Sequence, residues 1–257
     1  MNLISAREKC SECPIRHRAV CARCEPDELA RLEQIKYYRT YEAGQPVMWA
    51  GDPLTFVGSV VRGVARLSQT LPDGRTQVVG LLMSSDFLGR PGREVLGCDV
   101  TAISDLTLCC FRRKPFETLL AETPHLTDRL LELALDELDA ARDWMLLLGR
   151  KTAREKIASL LAIFARRTGT TSHAAPGVPV RQPGTGPLTI DLVLSRELMA
   201  DFLGLTIETT SRQISALKSQ GVIALEGNRR VIVPDLRRLL AETGDDIGLM
   251  RHDQRAV

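Results

Sequence analysis

Cys10, Cys13, Cys21 and Cys24 follow the pattern C-x2-C-x7-C-x2-C near the start of a 257-residue chain. Four thiolates can hold either Zn²⁺ or an iron–sulfur cluster. Two CxxC pairs make a local zinc site geometrically easy, so spacing alone leaves both readings open. Cys98, Cys109 and Cys110 lie far downstream. Seven cysteines cannot all pair with one another, and in a reducing compartment their clustering favours metal binding over a disulfide framework. A second group able to do chemistry sits in SRELMADFLGLTIETTSRQISALKSQGVIA, residues 195–224. Here Glu208, Ser211, Arg212 and Ser215 fall at i, i+3, i+4 and i+7, on one stripe of a helix. Arginine can fork onto guanine O6 and N7, glutamate can accept from cytosine N4, and serine can serve either role. Alone, Glu208 and Arg212 read as an ordinary surface pair; the motif around them turns the reading towards DNA.

In that motif Ser195 is placed to cap one helix, with Leu198, Met199 and Phe202 facing inward. Gly204 stands where a tight turn needs a left-handed residue. Thr206 is placed to cap a second helix, with Ile207, Ile214 and Leu217 inward. Gly221, VIAL, a Gly227-Asn228 turn and RRVIVP then suggest a β-hairpin wing. Helix, turn, helix and wing together predict a winged helix-turn-helix.

Upstream, PDELARLEQIK reads as a short helix. From about residue 37 to 114, short β-type runs (FVGSVV, VARLSQT, TQVVGLLM, VTAI, TLCCF) alternate with turn residues such as Pro72-Asp73-Gly74. This predicts a small antiparallel roll or barrel. Residues 116–149 read as helical, with Pro124 opening the long helix. Leu131, Ala134, Leu138, Ala141, Met145 and Leu148 are spaced 3, 4, 3, 4, 3, an a/d seam that predicts a homodimer. Leu130, Leu133, Leu146 and Leu147 fall off the seam and are expected to pack on the roll. Residues 151–167 form another amphipathic helix, 168–188 read as a linker, and the charged tail beyond about 242 as frayed. The fold expected is therefore α+β. It divides into a cysteine-rich segment (1–25), a β-roll (26–120), a dimerisation helix (121–150), a winged helix-turn-helix (151–242) and a tail (243–257).

Apolar residues make up 44% of the chain, and 34 basic residues nearly balance 32 acidic ones. Any basic surface must then be local. No run is long enough to span a membrane, and the N-terminus lacks a signal core, so a cytoplasmic protein is expected. Nothing suggests an enzyme: there is no C-x3-C-x2-C radical motif, no phosphate-binding glycine loop and only four histidines. His17 reads as a surface residue.

The order of these parts resembles the CRP/FNR superfamily along nearly the whole chain. LGLTIETTSRQISALKSQGVI resembles its recognition segment, with the pattern E-x-x-S-R. WMLLLGRKTAREKIA resembles the join between its dimer helix and DNA domain. CSECPIRHRAVCARC resembles the cluster-binding stretch of the FNR branch, in its C-x2-C-x7-C form rather than the shorter enteric spacing. The resemblance implies a fourth ligand from the roll just before a PFETL-like stretch, and VTAISDLTLCCFRRKPFETL puts Cys109 there. Cys10, Cys13, Cys21 and Cys109 are then the expected ligands, with Cys24 as the rival to Cys109, and Cys98 and Cys110 as core residues. The implied function is an oxygen-responsive regulator. It binds a [4Fe-4S] cluster without oxygen, dimerises, reads palindromic double-stranded DNA of TTGAT half-sites through Glu208, Ser211 and Arg212, and works with RNA polymerase. Oxygen degrades the cluster to a [2Fe-2S] form and releases the DNA. A zinc-stabilised or a cyclic-nucleotide-responsive regulator on the same fold is the alternative. DFLGRPGREVLG holds Arg90, Arg93 and Glu94 but lacks the nucleotide branch's usual order.

Overall fold

The computed structural model describes residues 9–169, 187–227 and 230–245. The chain divides into two compact units, Met1–Ala141 and Arg142–Val257. The first opens with a 3-10 turn, Cys10–Glu12, and helix α1, Pro26–Ile35. Proline suits the first position of α1 because it has no N–H to leave unsatisfied. The Glu25 N–H preceding it donates to the Glu28 carboxylate at 2.8 Å.

Eight strands follow: β1 (Lys36–Tyr41), β2 (Pro46–Met48), β3 (Phe56–Arg62), β4 (Ala65–Thr70), β5 (Thr76–Leu82), β6 (Phe87–Leu88), β7 (Asp99–Ala102) and β8 (Leu106–Arg112). They form two antiparallel sheets, ordered β1-β8-β3-β6 and β2-β7-β4-β5, in agreement with the expected antiparallel roll. The hairpin at Pro72-Asp73-Gly74 joins β4 to β5, with Thr70 opposite Thr76. Gly74 takes φ 89°, and the Asp73 carboxylate accepts from the Arg75 N–H at 3.1 Å. β2 and β6 are too short to show a period in the sequence.

Side chains of a strand alternate between its faces, and this separates two cores. Phe56 and Val60 of β3 and Leu106, Leu108 and Cys110 of β8 belong to one, with Val100, Ala102 and Leu82 of the second sheet. Val57 and Val61 of β3 and Cys109 and Phe111 of β8 belong to the other. That core is completed by Ile15, Ala19, Val20, Leu32, Phe116, Leu119 and Leu126, so the N-terminal segment and the helices cover the outer face of the sheet.

The helical stretch expected over 116–149 is two helices, α2 (Arg113–Glu122) and α3 (Pro124–Arg150). The break at Thr123 follows from Pro124, which disfavours helical backbone in the residue before it. Leu126 of α3 is buried, and Leu130 and Leu133 pack partly against the outer core, as expected. The opposite side of α3 is apolar and bare. Leu131, Leu135, Leu138, Met145 and Leu146 are between 46% and 74% exposed; Ala134 and Ala141 are exposed and Leu148 is half-buried. Leu146 was expected to pack on the roll, but it is exposed. A step of about 100° per residue carries it from the side of buried Leu147 round to the side of Leu135. The apolar stripe is therefore wider than the six-residue seam.

The second unit holds α4 (Ala153–Gly169), β9 (Leu188–Asp191), α5 (Arg196–Leu203), α6 (Ile207–Ser219), β10 (Ala224–Glu226), β11 (Arg230–Val233) and α7 (Leu236–Ala241). The wing is β10 and β11, with Leu225 opposite Val231. β9 adds a third strand on the far side of β11, which the sequence did not reveal; nor did it reveal α7. Most of the expected linker, residues 170–186, and most of the expected tail, 246–257, lie outside the described residues, as does Asn228 of the wing turn.

Gly63, at the turn from β3 to β4, has φ +89°, and a Cβ there would lie 2.2 Å from the Asp105 carbonyl oxygen. Neither the backbone angle nor the backbone contact can relax cheaply. Gly63→Ala should lower stability by about 2 kcal/mol or more. Thermal unfolding checks this; an unchanged midpoint would contradict it.

Candidate metal centre and nucleic-acid interface

The cysteine segment folds as a chain of tight turns. The Arg16 N–H donates to the Cys13 carbonyl at 3.0 Å, Ala19 to Ile15 at 2.9 Å, Ala22 to Ala19 at 2.9 Å and Cys24 to Cys21 at 3.1 Å. Arg16 closes the loop from within: its guanidinium donates to the Ala22 carbonyl at 2.6 Å and to the Cys24 carbonyl at 2.8 Å. Arg129 of α3 holds the loop from outside, donating to the Arg18 carbonyl at 2.7 Å. Arg23 pairs with Glu132 of α3 at 2.5 Å.

This loop lies against the outer face of β8. Cys10, Cys13, Cys21 and Cys109 line one cavity, together with Ile15, Ala19, Val20, Leu32, Tyr38, Ser59 and Phe111. The other cysteines stand elsewhere. Cys24 is buried in the adjoining core and is not among the residues lining the cavity. Cys110 is fully buried between the two sheets. Cys98 is half-buried just before β7, and His17 is exposed.

The cavity is a strained place for charge. Burial pushes the Cys10 thiol up, the Cys21 thiol up to about 12, and the Cys109 thiol up as well. Neighbouring thiols raise Cys21 and Cys109 further. Two cations oppose this. The Lys36 ammonium donates to Cys10 Sγ at 3.3 Å, with its side chain only 5% exposed. Arg16 lowers Cys10 and Cys21. Thiols so placed become ligands only when a metal offsets the cost of forming several buried thiolates. Among the described residues, no group of three or more His, Cys, Asp or Glu side chains is drawn together into a ready-made metal site. The donor set nonetheless fits an iron–sulfur cluster: four soft sulfurs around one cavity, with two cations nearby to balance a negative centre.

The other candidate site is α6. The Ser195 hydroxyl accepts from the Leu198 N–H at 3.1 Å at the start of α5, and Gly204 ends that helix at φ 62°, ψ 43°. The Thr206 hydroxyl accepts from the Thr209 N–H at 3.2 Å and starts α6. Met199 and Phe202 of α5 and Ile214 and Leu217 of α6 are buried, as expected, whereas Leu198 is only partly so. Ile207 was expected inward, but it is 46% exposed, and Thr210 is buried instead. Side chains of a helix lean towards its N-terminus. Ile207, the first residue of α6, therefore leans over the turn before it. Glu208, Arg212 and Ser215 are exposed and Ser211 is half-buried, so the stripe exists. The Glu208 carboxyl is held below the usual range by its own backbone N–H and by Thr206, which keeps it an acceptor. Trp144 stacks on Phe202 with ring centroids 4.2 Å apart, joining the end of α3 to the first helix of the motif.

A family model described as a cyclic nucleotide-binding domain matches residues 38–123, and one described as a Crp-like helix-turn-helix domain matches residues 126–242. The transcriptional activator protein FnrL of Cereibacter sphaeroides is 65% identical over 238 residues, spanning 93% of each chain. The chain belongs to the CRP/FNR family. The nitrogen fixation regulation protein FixK of Bradyrhizobium diazoefficiens is another CRP/FNR relative, 39% identical over 84% of this chain and 86% of its own. Among solved structures, FixK2 from Bradyrhizobium japonicum superposes with TM-score 0.70 at 28% identity, covering 82% of this chain and 99% of that one. The roll and the helix-turn-helix of this CRP/FNR chain thus match their expected fold. In the roll, Arg90, Arg93 and Glu94 are all exposed.

Arg16, Lys36, Arg129 and Ser59 are site residues that the sequence did not single out. They carry no periodic signal: Lys36, Arg129 and Ser59 act across a distance in the chain, and Arg16 bonds backbone carbonyls. The clasp of Arg16 yields a direct test. Arg16→Ala strips two carbonyls of their donor, so amide exchange across residues 13–24 should quicken while the second unit is unaffected. Unchanged exchange in the loop would mean that burial of Ile15, Ala19 and Val20 alone holds it.

Proposed function

We propose that this CRP/FNR regulator is an oxygen-responsive transcriptional activator that holds a [4Fe-4S] cluster on Cys10, Cys13, Cys21 and Cys109. The observation that carries the reading is that four thiols from two distant parts of the chain line one cavity. When bound, the cluster supplies a cross-link that oxygen breaks. The chain's own residues do the rest. Arg16 and Arg129 shape and hold the loop, Lys36 donates to Cys10, and Ile15, Ala19 and Val20 seal the cavity against the sheet.

Glu132 and Arg129 on α3 contact this loop, and the same helix carries the bare stripe of Leu131, Leu138 and Met145. A loop fixed by the cluster fixes one side of α3; the other side is the homodimer contact. Two α6 helices then read a palindrome of TTGAT half-sites one helical turn apart, next to RNA polymerase in the cytoplasm. The 65% identical relative, named as a transcriptional activator, supports the activator role. Doubling the DNA contacts turns a modest packing change into a large change in affinity. Zinc, the other four-thiolate tenant, gives a colourless protein indifferent to air.

Protein purified without oxygen should be coloured, dimeric and able to bind the palindrome. Brief exposure to air should shift its visible spectrum to that of a [2Fe-2S] form and return it to monomers that release the DNA. A colourless zinc protein with unchanged binding in air would refute the proposal. The readout by α6 is tested separately. Arg212 forks onto the half-site guanine, Glu208 accepts from a cytosine, and Ser211 meets a neighbouring A·T pair. Arg212→Ala should cost about 1–3 kcal/mol on the native site and far less on a site altered at that guanine. Equal losses on both sites at fixed salt would make Arg212 a phosphate contact instead.

A further inference from the structure

Ser59 lies on β3 directly opposite Cys109 on β8, so both side chains leave the same face of the sheet. Both line the cysteine cavity. Ser59 is only 2% exposed, and its hydroxyl has no hydrogen-bond partner among the described residues. Buried hydroxyls are nearly always bonded, because leaving one unmade forfeits its hydration for nothing. The backbone here is tightly set. A Cβ on Gly58 would lie 2.6 Å from the Cys109 carbonyl oxygen, so β3 runs hard against β8 at this point and Ser59 cannot drift from its neighbour.

A free hydroxyl proton beside an electron-rich sulfur has an obvious acceptor. We propose that Ser59 is a positioning residue of the cysteine centre, donating a hydrogen bond to the Cys109 thiolate once that thiolate ligates the cluster. The inference rests on the cluster reading given above. A hydrogen bond to a ligand sulfur draws electron density from the metal and favours the more reduced, more negative form. Ser59 therefore raises the reduction potential of the centre. It does so from the strand that neighbours Cys109, without being a ligand.

The test compares wild type, Ser59→Ala and Ser59→Thr, each purified without oxygen as the full chain. Alanine removes only the oxygen, and threonine restores the hydroxyl. Resonance Raman spectra in H₂O and D₂O report exchangeable hydrogen bonds to the iron–sulfur(Cys) stretches, and an anaerobic redox titration reports the potential. Part of the deuterium shift should vanish in Ser59→Ala, and its potential should become more negative. Ser59→Thr should stay close to wild type in both. Loss of the cluster from Ser59→Ala but not from Ser59→Thr would also support the hydroxyl. If Ser59→Ala keeps the wild-type isotope shift and potential, Ser59 is a packing residue and the inference fails while the cluster reading stands. A wild-type protein with no iron or sulfide would overturn both.

Discussion

The two-residue alternation of β8 is the constraint on which the N-terminal unit depends. Leu106, Leu108 and Cys110 turn towards the second sheet, while Cys109 and Phe111 turn outward. An outward face of that kind cannot be left wet, and the chain covers it with its own N-terminal segment. The cover is what brings Cys10, Cys13 and Cys21 to Cys109. A one-residue slip in the pairing of β8 with β1 or β3 would send Cys110 to the cavity and Cys109 to the core. The register with both neighbours, Tyr38 and Ser59 opposite Cys109, holds against that slip.

The cover is also weakly built. Among the described residues before α1 it has only the 3-10 turn Cys10–Glu12, and few of its side chains are buried: Cys10, Ile15, Ala19, Val20 and Cys24. Each fully buried aliphatic side chain contributes about 1.5–3 kcal/mol, while ordering each residue of backbone costs about 1–2 kcal/mol. Many residues of the loop are ordered for each one that is buried. Arginine clasps offset part of this. In the proposed reading the cluster supplies the remainder, which is why losing it would loosen the loop and, through Arg129 and Glu132, the helix it touches. A regulator needs a segment near balance, and in that reading it lies where the proposed ligands are.

Much of this was legible in the sequence because it obeys short-range rules. Capping residues Ser195 and Thr206, the left-handed Gly204 and the hairpin glycine Gly74 each declare themselves within a few positions. The opposite facing of Cys109 and Cys110 follows from strand alternation alone. What the sequence hid is long-range or made through the backbone. β9 joins the wing across a separation of about forty residues, Lys36 reaches back to Cys10, and Arg16 bonds backbone carbonyls that have no sequence signature. The two misplaced residues, Leu146 and Ile207, failed for local reasons. One lies on a stripe wider than a strict seam; the other stands at a helix end, where facing inward requires something beyond the end to face.

In the proposed centre the fourth donor comes from the sheet and not from the second CxxC pair. Iron and acid-labile sulfide measured side by side in Cys109→Ser and Cys24→Ser, both purified without oxygen, test it most directly. Cys24→Ser should retain wild-type iron and sulfide while Cys109→Ser loses both. The reverse result, cluster kept without Cys109 and lost without Cys24, would contradict it and confine the cluster to the N-terminal loop, with no ligand from the roll.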